Sequence, residues 1–509
     1  MTAGRLHDQP LNLGNHSSVV FGDVRQQARL ELAELLSDAK ASDLLILVGS
    51  RLQAYLEEVA AMASDVTVLV IAKNPNEISV QDLVGEGARI KIVQGADQLA
   101  ECLAAELVYG RTGRVAIFCP QEQRLECAEL LAETRQVAQR VLERSRIDRR
   151  TRRRKSLEWL NNLSRNFARV LELPDLALPE NVFEDRPALV VGAGPSLDES
   201  LEYLLELPRG VLVLAAASAL GPLARRGLRP HLAVALEAKD ESRQFAAADG
   251  KHTWLMAATT GHPNHFSGWP SGRKGLFHLL PWVAWLVGQG RPLPTGGHAT
   301  SAAFSLAVLW GCNPIILVGQ DLAFSGGRIH ASGRPGGEDE DHPVVVSVPA
   351  IGGGEVPTSP VMESYLGWYQ ESAAFLARCD PGRRLVNATA QGALLAGFEH
   401  APLHEVLAGL AAEKWPQVGP ELERLCAGIP RPPRRMVAQR LALARNCVRD
   451  CLQWLSKGDL SRARQTAATC PPAQVLLAEC APEGDAMAAA DILEQLLEAL
   501  RRMGEGISA

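Results

Sequence analysis

Two groups of residues have types and spacing that could do chemistry. One is the turn Gly192-Ala193-Gly194-Pro195-Ser196, which follows the uncharged run Ala188-Leu189-Val190-Val191. Glycines at the carboxyl end of a buried strand let backbone approach a ligand closely, and the free N–H groups of the next helix, with its dipole, favour a phosphate. Gly192, Gly194, Pro195 and Ser196 are therefore nucleotide-binding candidates. The other group holds the acid–base candidates Asp321, His330 and Glu237. Asp321 directly follows an apolar run, where a carboxylate is costly if buried without a partner. Each has a plainer reading: two glycines make an ordinary turn, Asp321 caps a turn, and His330 and His342 are loop histidines.

The elements that must position these residues follow from the apolar pattern. After the first run, segments 211–217, 232–236, 254–259, 314–319 and 385–388 read as strands, with helices starting near Ser196, Ala219, Ala299 and Met362. Alternating strands and helices predict a Rossmann-like α/β domain, in which ligands collect beyond the carboxyl ends of the strands. That rim adds Ser218, Thr300, Gln320 and Asn387 to the nucleotide-binding candidates, with Thr259 and Thr260 beside them. Segment 324–356 is rich in glycine and charge with no clear internal element, which predicts a lid or binding loop.

Flanking regions divide the chain. Apolar runs at 44–49, 66–72, 90–93 and 115–119 predict a smaller α/β domain over residues 1–120. An arginine-dense helical connector covers 121–185, the Rossmann-like domain 186–400, and a helical domain 401–509. The expected role of the last is partner binding or homo-oligomer formation. A third glycine is replaced by Leu197 and no Gly-Lys-Ser/Thr follows, so dinucleotide and P-loop sites of the usual kind are disfavoured.

A chain of 509 residues with net charge −6 has no general pull toward nucleic acid or an anionic membrane. Ten cysteines without a CxxC pair predict reduced core thiols, a cytoplasmic location and no metal centre. The polar start, residues 1–10, predicts no signal peptide, and Gly311-Cys312-Asn313-Pro314 breaks the one long uncharged run into a helix and a strand rather than a membrane span.

Several motifs in order carry a resemblance. Gly192-Ala193-Gly194-Pro195-Ser196-Leu197-Asp198, then Gly227-Leu228-Arg229-Pro230-His231, then the run from Gly311-Cys312-Asn313-Pro314 to Gln320-Asp321-Leu322-Ala323-Phe324, and Asn387-Ala388-Thr389 with Gly392 resemble the motility accessory factor (Maf) glycosyltransferases. The likeness covers roughly residues 155–400, with Trp159-Leu160-Asn161-Asn162-Leu163 ahead of the first motif. It implies a bacterial cytoplasmic enzyme that transfers a nonulosonic acid from its CMP-activated form to serine or threonine of flagellin, supporting flagellum assembly and motility. It further implies that no cofactor is required beyond the CMP-sugar, a divalent cation being left open. On that likeness Gly192, Gly194, Pro195 and Ser196 line the CMP pocket, and Gln320 and Asp321 lie near donor or acceptor. The chain departs from the family at Ala216-Ala217-Ser218, where many members have an acidic residue and glycine. The same likeness extends to an archaeal pyrophosphokinase acting on hydroxymethylpterin with ATP and magnesium. A third reading is a nucleotide-binding adaptor without catalysis.

Overall fold

The computed structural model describes residues 24–36, 44–62, 67–79, 89–95, 98–100, 102–103, 115–333, 346–410, 415–480 and 485–508. The chain divides into two compact units, Met1–Arg153 and Arg154–Ala509.

The first unit contains a parallel sheet of strands β1 (Leu44–Gly49), β2 (Thr67–Ala72), β3 (Arg89–Ile92) and β4 (Val115–Phe118), in the order β3-β2-β1-β4. All six residues of β1 and of β2 are buried. An unbroken apolar run suits a strand covered on both faces. Helices Val24–Leu36 and Gln53–Met62 contribute Ala28, Leu32, Tyr55, Leu56 and Val59 to the core on one face.

The second unit is built on eight strands: β5 (Ala188–Val191), β6 (Leu212–Ala216), β7 (Leu232–Ala235), β8 (Trp254–Ala258), β9 (Lys274–Phe277), β10 (Ile315–Val318), β13 (Leu385–Asn387) and β14 (Glu399–His400). They lie in the order β14-β13-β10-β5-β6-β7-β8-β9, and every neighbouring pair is parallel. Chain order reverses between β10 and β5. In open α/β sheets the crevice outside the carboxyl ends of the strands at such a reversal is where ligands bind.

Alternate residues of β5 enter different cores, Ala188 and Val190 on one face and Leu189 and Val191 on the other. Helix Leu197–Leu204 buries Leu197, Leu201 and Leu204 at helical spacing, each contributing about 2 kcal/mol before the entropy of ordering is counted. Helix Ala299–Leu309 buries most of its length on the opposite face and packs on β5, β6, β7 and β10. It precedes β10 and runs antiparallel to it, so its amino terminus lies at the carboxyl edge of the sheet.

Residues 401–509 belong to this unit and form helices Leu403–Leu410, Val418–Gly428, Arg434–Ser456, Leu460–Ala467, Pro471–Cys480 and Ala486–Ser508. Pro471 and Pro472 start a helix, where the missing N–H costs nothing. Val437, Leu441, Leu493 and Leu496 share one core with Leu160, Leu163 and Phe167 of helix Ala128–Glu172 and with Ala233, Ala235, Leu255 and Ala257 of β7 and β8.

Strands β9 and β14 and one segment depart from expectation, β14 being only two residues long. Strand β9 was not foreseen, because Lys274-Gly275 opens it with a charge and a glycine. Segment 324–356 was expected to lack internal elements, yet it includes strand β11 (Val346–Pro349), paired antiparallel with β12 (Glu355–Thr358). His342 and the acidic run 338–341 lie outside the described residues. Among the described residues, no helix is long and apolar enough to cross a membrane.

Candidate functional site at the carboxyl edge of the sheet

The residues after β5 and β10 cross at close quarters. Gly192 N donates to Val318 O at 2.8 Å and Gly194 N to Gly319 O at 2.8 Å. A Cβ on Gly192 would strike Gly319 O, and one on Gly194 would strike the Asp321 carboxylate. Gly319 has φ +66°, and a Cβ there would stand 2.7 Å from Gly192 O. The glycines are therefore required first by two backbones passing each other.

Asp321 is 2% exposed and Ser196 is fully buried. The Ser196 hydroxyl donates to Asp321 Oδ2 at 2.6 Å and its amide to Oδ1 at 3.1 Å. Burial pushes the Asp321 carboxyl above its ordinary value, against the Ser196 bonds that pull it down. In this geometry the Ser196 amide and hydroxyl are both taken by the Asp321 carboxylate. Pro195 is buried in the same turn.

The segment that follows lies across this turn. Ala331 N donates to Ala193 O at 2.8 Å, which sets His330 beside the turn. The Asp198 carboxylate accepts from Arg328 at 2.9 Å and from the Ser332 amide and hydroxyl at 3.1 and 2.8 Å. Burial works to raise the Asp198 carboxyl, but the Ser332 and Arg328 hydrogen bonds outweigh it and hold it below the carboxylate norm.

Among the described residues, a pair of side-chain amide atoms in the crevice finds no partner. Gln320, after β10, is 7% exposed, and its backbone N–H donates to Thr389 Oγ1 at 3.1 Å. Its Oε1 has no hydrogen-bond partner and stands 3.1 Å from where a Cβ on Gly192 would be. Asn387, at the end of β13, is 1% exposed; its Oδ1 accepts from Thr389 N at 3.1 Å while its Nδ2 has no partner. Buried polar atoms without partners cost free energy, and a ligand that supplies the partners recovers it.

A second cluster sits farther along the edge. Glu237, just beyond β7, is 47% exposed on its side chain and lies 3.9 Å from Lys155. The desolvating surroundings raise its carboxyl, with Lys155 opposing. Its charge is felt by Tyr365, and the Tyr365 ring stacks on His298 with centroids 4.3 Å apart. His298 is the residue before helix Ala299–Leu309 and makes no side-chain cap to it. Its Nδ1 lies 2.7 Å from Thr300 Oγ1, its Nε2 finds no partner among the described residues, and burial lowers the imidazole to about 3, so the ring is neutral. Ser218 is half-buried in the short turn that follows β6.

All the candidate residues thus follow strands, or start a helix, at one edge of one sheet. They do not act on one atom. Three strand spacings, about 14 Å, separate the end of β10 from that of β7, so Asp321 and Glu237 serve different parts of any ligand. His298, Lys155 and Tyr365 were missed in the sequence; the one available signal was an imidazole directly after Gly296-Gly297 at a helix start.

Two surface depressions, of about 120 and 540 Å³, open at the opposite, amino-terminal end of the sheet, beside Asn313 and Arg186 respectively. Neither includes a residue of the crevice. Among the described residues, no group of three or more His, Cys, Asp or Glu could hold a metal ion.

Comparison with known proteins gives three results. Residues 161–327 match the family model described as MptE-like, 6-hydroxymethylpterin diphosphokinase MptE-like. Among solved structures, the chain is similar to the MAf glycosyltransferase from Magnetospirillum magneticum AMB-1, at 14% identity over 97% of this chain and 83% of that one, with a TM-score of 0.49. A hydrogen sulfide-producing enzyme from Fusobacterium nucleatum aligns at 11% identity over 58% of this chain and 83% of that one, with a TM-score of 0.13. No curated protein matches the chain.

Proposed function

We propose that the protein is a glycosyltransferase that moves a nonulosonic acid from a CMP-activated donor to serine or threonine of flagellin, in the cytoplasm. The observation that carries the reading is the pair of unpartnered, buried amide atoms, Gln320 Oε1 and Asn387 Nδ2, at the crevice where strand order reverses. One acceptor and one donor suit the amino and carbonyl groups of a cytosine. The run of motifs from Gly192 to Gly392 supports the same family.

In this reading the departing phosphate lies against the first amides of helix Ala299–Leu309, whose preceding residue offers no side-chain cap. Thr300 and Ser218 complete that grip. Glu237, half-exposed and raised above its ordinary value, takes the proton from the acceptor hydroxyl as the sugar carbon develops positive charge. His330 is the second candidate for that proton. Gly192, Gly194, Pro195, Ser196 and Asp321 keep the crevice in shape.

The description of the family model matched over 161–327 supplies a second reading, diphosphate transfer from ATP with magnesium to a hydroxymethylpterin, and the match does not decide between the two. A single assay separates the two. Purified protein is incubated with flagellin and CMP-nonulosonic acid, and separately with ATP, magnesium and hydroxymethylpterin. The proposal expects a flagellin mass gain of one sugar residue, reduced about 10²- to 10⁴-fold in rate in Glu237→Gln with the fold retained. Pterin diphosphate formation with unmodified flagellin would establish the second reading.

A further inference from the structure

Three thiols in the helical region meet at one sulfur. Cys451 is fully buried and Cys470 is 3% exposed. Cys447 is only half-buried and stands one turn before Cys451 on helix Arg434–Ser456. Its sulfur lies 3.5 Å from Thr466 O and 4.0 Å from Thr469 Oγ1, so it reaches the turn that joins helices Leu460–Ala467 and Pro471–Cys480. Cys470 lies in that turn. The thiols of Cys451 and Cys470 both approach Cys447 closely enough to donate to its sulfur.

We propose that Cys447 and Cys470 form an oxidation-responsive pair, with a hydroperoxide as oxidant. The Cys447 thiolate attacks the peroxide oxygen, breaking the O–O bond, and becomes a sulfenic acid while hydroxide or alkoxide leaves. The Cys470 sulfur then displaces the sulfenic oxygen as water, and the S–S bond forms. Two electrons pass from the two sulfurs to the peroxide, and a thiol reductant reverses the step.

Cys470 rather than Cys451 is the partner for a geometric reason. Residues four apart on a helix hold their Cβ atoms about 5–6 Å apart, whereas a disulfide needs about 3.5–4.5 Å. Cys451 is fixed in the helix that carries Cys447, while Cys470 sits in a turn that can adjust. The neighbouring thiols lower Cys447 below the ordinary thiol value, which raises its thiolate fraction. Cys447 is also the one of the three that an oxidant can reach. The bond would tie helix Arg434–Ser456 to the next helical turn, inside the core that supports β7 and β8.

The test is peptide mapping of the full chain under non-reducing conditions after brief treatment with hydrogen peroxide. The expected result is an intact mass lower by two hydrogens and a peptide pair joining Cys447 to Cys470, both reversed by dithiothreitol. The link is absent in Cys447→Ser and kept in Cys379→Ser, which removes an exposed cysteine elsewhere. Wild-type protein in which Cys447 is recovered as a free thiol or a sulfinic acid, or joined to Cys451, overturns the proposal, and this needs no variant to fold.

Discussion

Ser196 and Asp321 hold each other in place. The Ser196 hydroxyl and amide both end on the buried carboxylate. Removing the hydroxyl leaves that carboxylate short of a donor, which costs about 1–3 kcal/mol. Ser196→Ala should therefore lower stability by that amount in urea unfolding; a loss within about 0.5 kcal/mol would mean the bond carries little. The residue types at 192–196 and at 321 were legible in the sequence as a site. Their division of labour was not, because it depends on β5 lying beside β10, a pairing of segments more than a hundred residues apart. The same long-range pairing leaves Gln320 Oε1 and Asn387 Nδ2 without partners, which no local pattern reveals.

Helix Ala128–Glu172 shows what an element contributes. Asn162 Nδ2 donates to Ala238 O and Thr260 O at 2.9 and 3.1 Å, and Asn166 Nδ2 to Thr259 O and Gly261 O at 3.0 and 2.8 Å. Two amides one turn apart thereby hold the loops that follow β7 and β8. Asn162→Ala leaves the Ala238 and Thr260 carbonyls unbonded, and we expect a loss of about 1–3 kcal/mol in urea unfolding together with a raised KM, since the Glu237 loop loosens. An unchanged KM would separate the helix from the site. Asn162 was visible in the sequence as part of a motif and Asn166 was not, and the targets of both belong to loops far along the chain.

Between that helix and β5, Asp175 is buried 3.6 Å from His278. Burial raises the Asp175 carboxyl from 3.8 to about 7 and lowers the His278 imidazole to about 4. A carboxyl whose folded value is raised gives stability that is full below its unfolded value and is lost as pH climbs through the folded one. Wild-type stability should therefore fall between pH 3.8 and about 7 relative to Asp175→Asn, whose amide keeps the bond from Ala177 N. Parallel melting-temperature profiles for the two proteins would contradict this.

At the scale of the whole molecule, one parallel sheet carries the candidate residues along its carboxyl edge. In the proposed function the nucleotide lies where strand order reverses, by β13, β10 and β5, and Glu237 serves the acceptor from the end of β7, about 14 Å from the end of β10. Strands β5 to β8 and the helical character of residues 401–509 followed from apolar period alone. Strand β9 and the β11–β12 hairpin did not, since short strands with glycine, proline or charge carry little periodic signal. The most direct measurement is calorimetric titration with CMP, and with ATP plus magnesium, of the wild-type protein and of Gln320→Ala and Asn387→Ala. The account predicts CMP binding to the wild type, weakened about tenfold or more in each variant, a loss of about 1.4 kcal/mol or more, with ATP binding weaker than CMP. CMP binding that is absent, or equal in all three proteins, would contradict it.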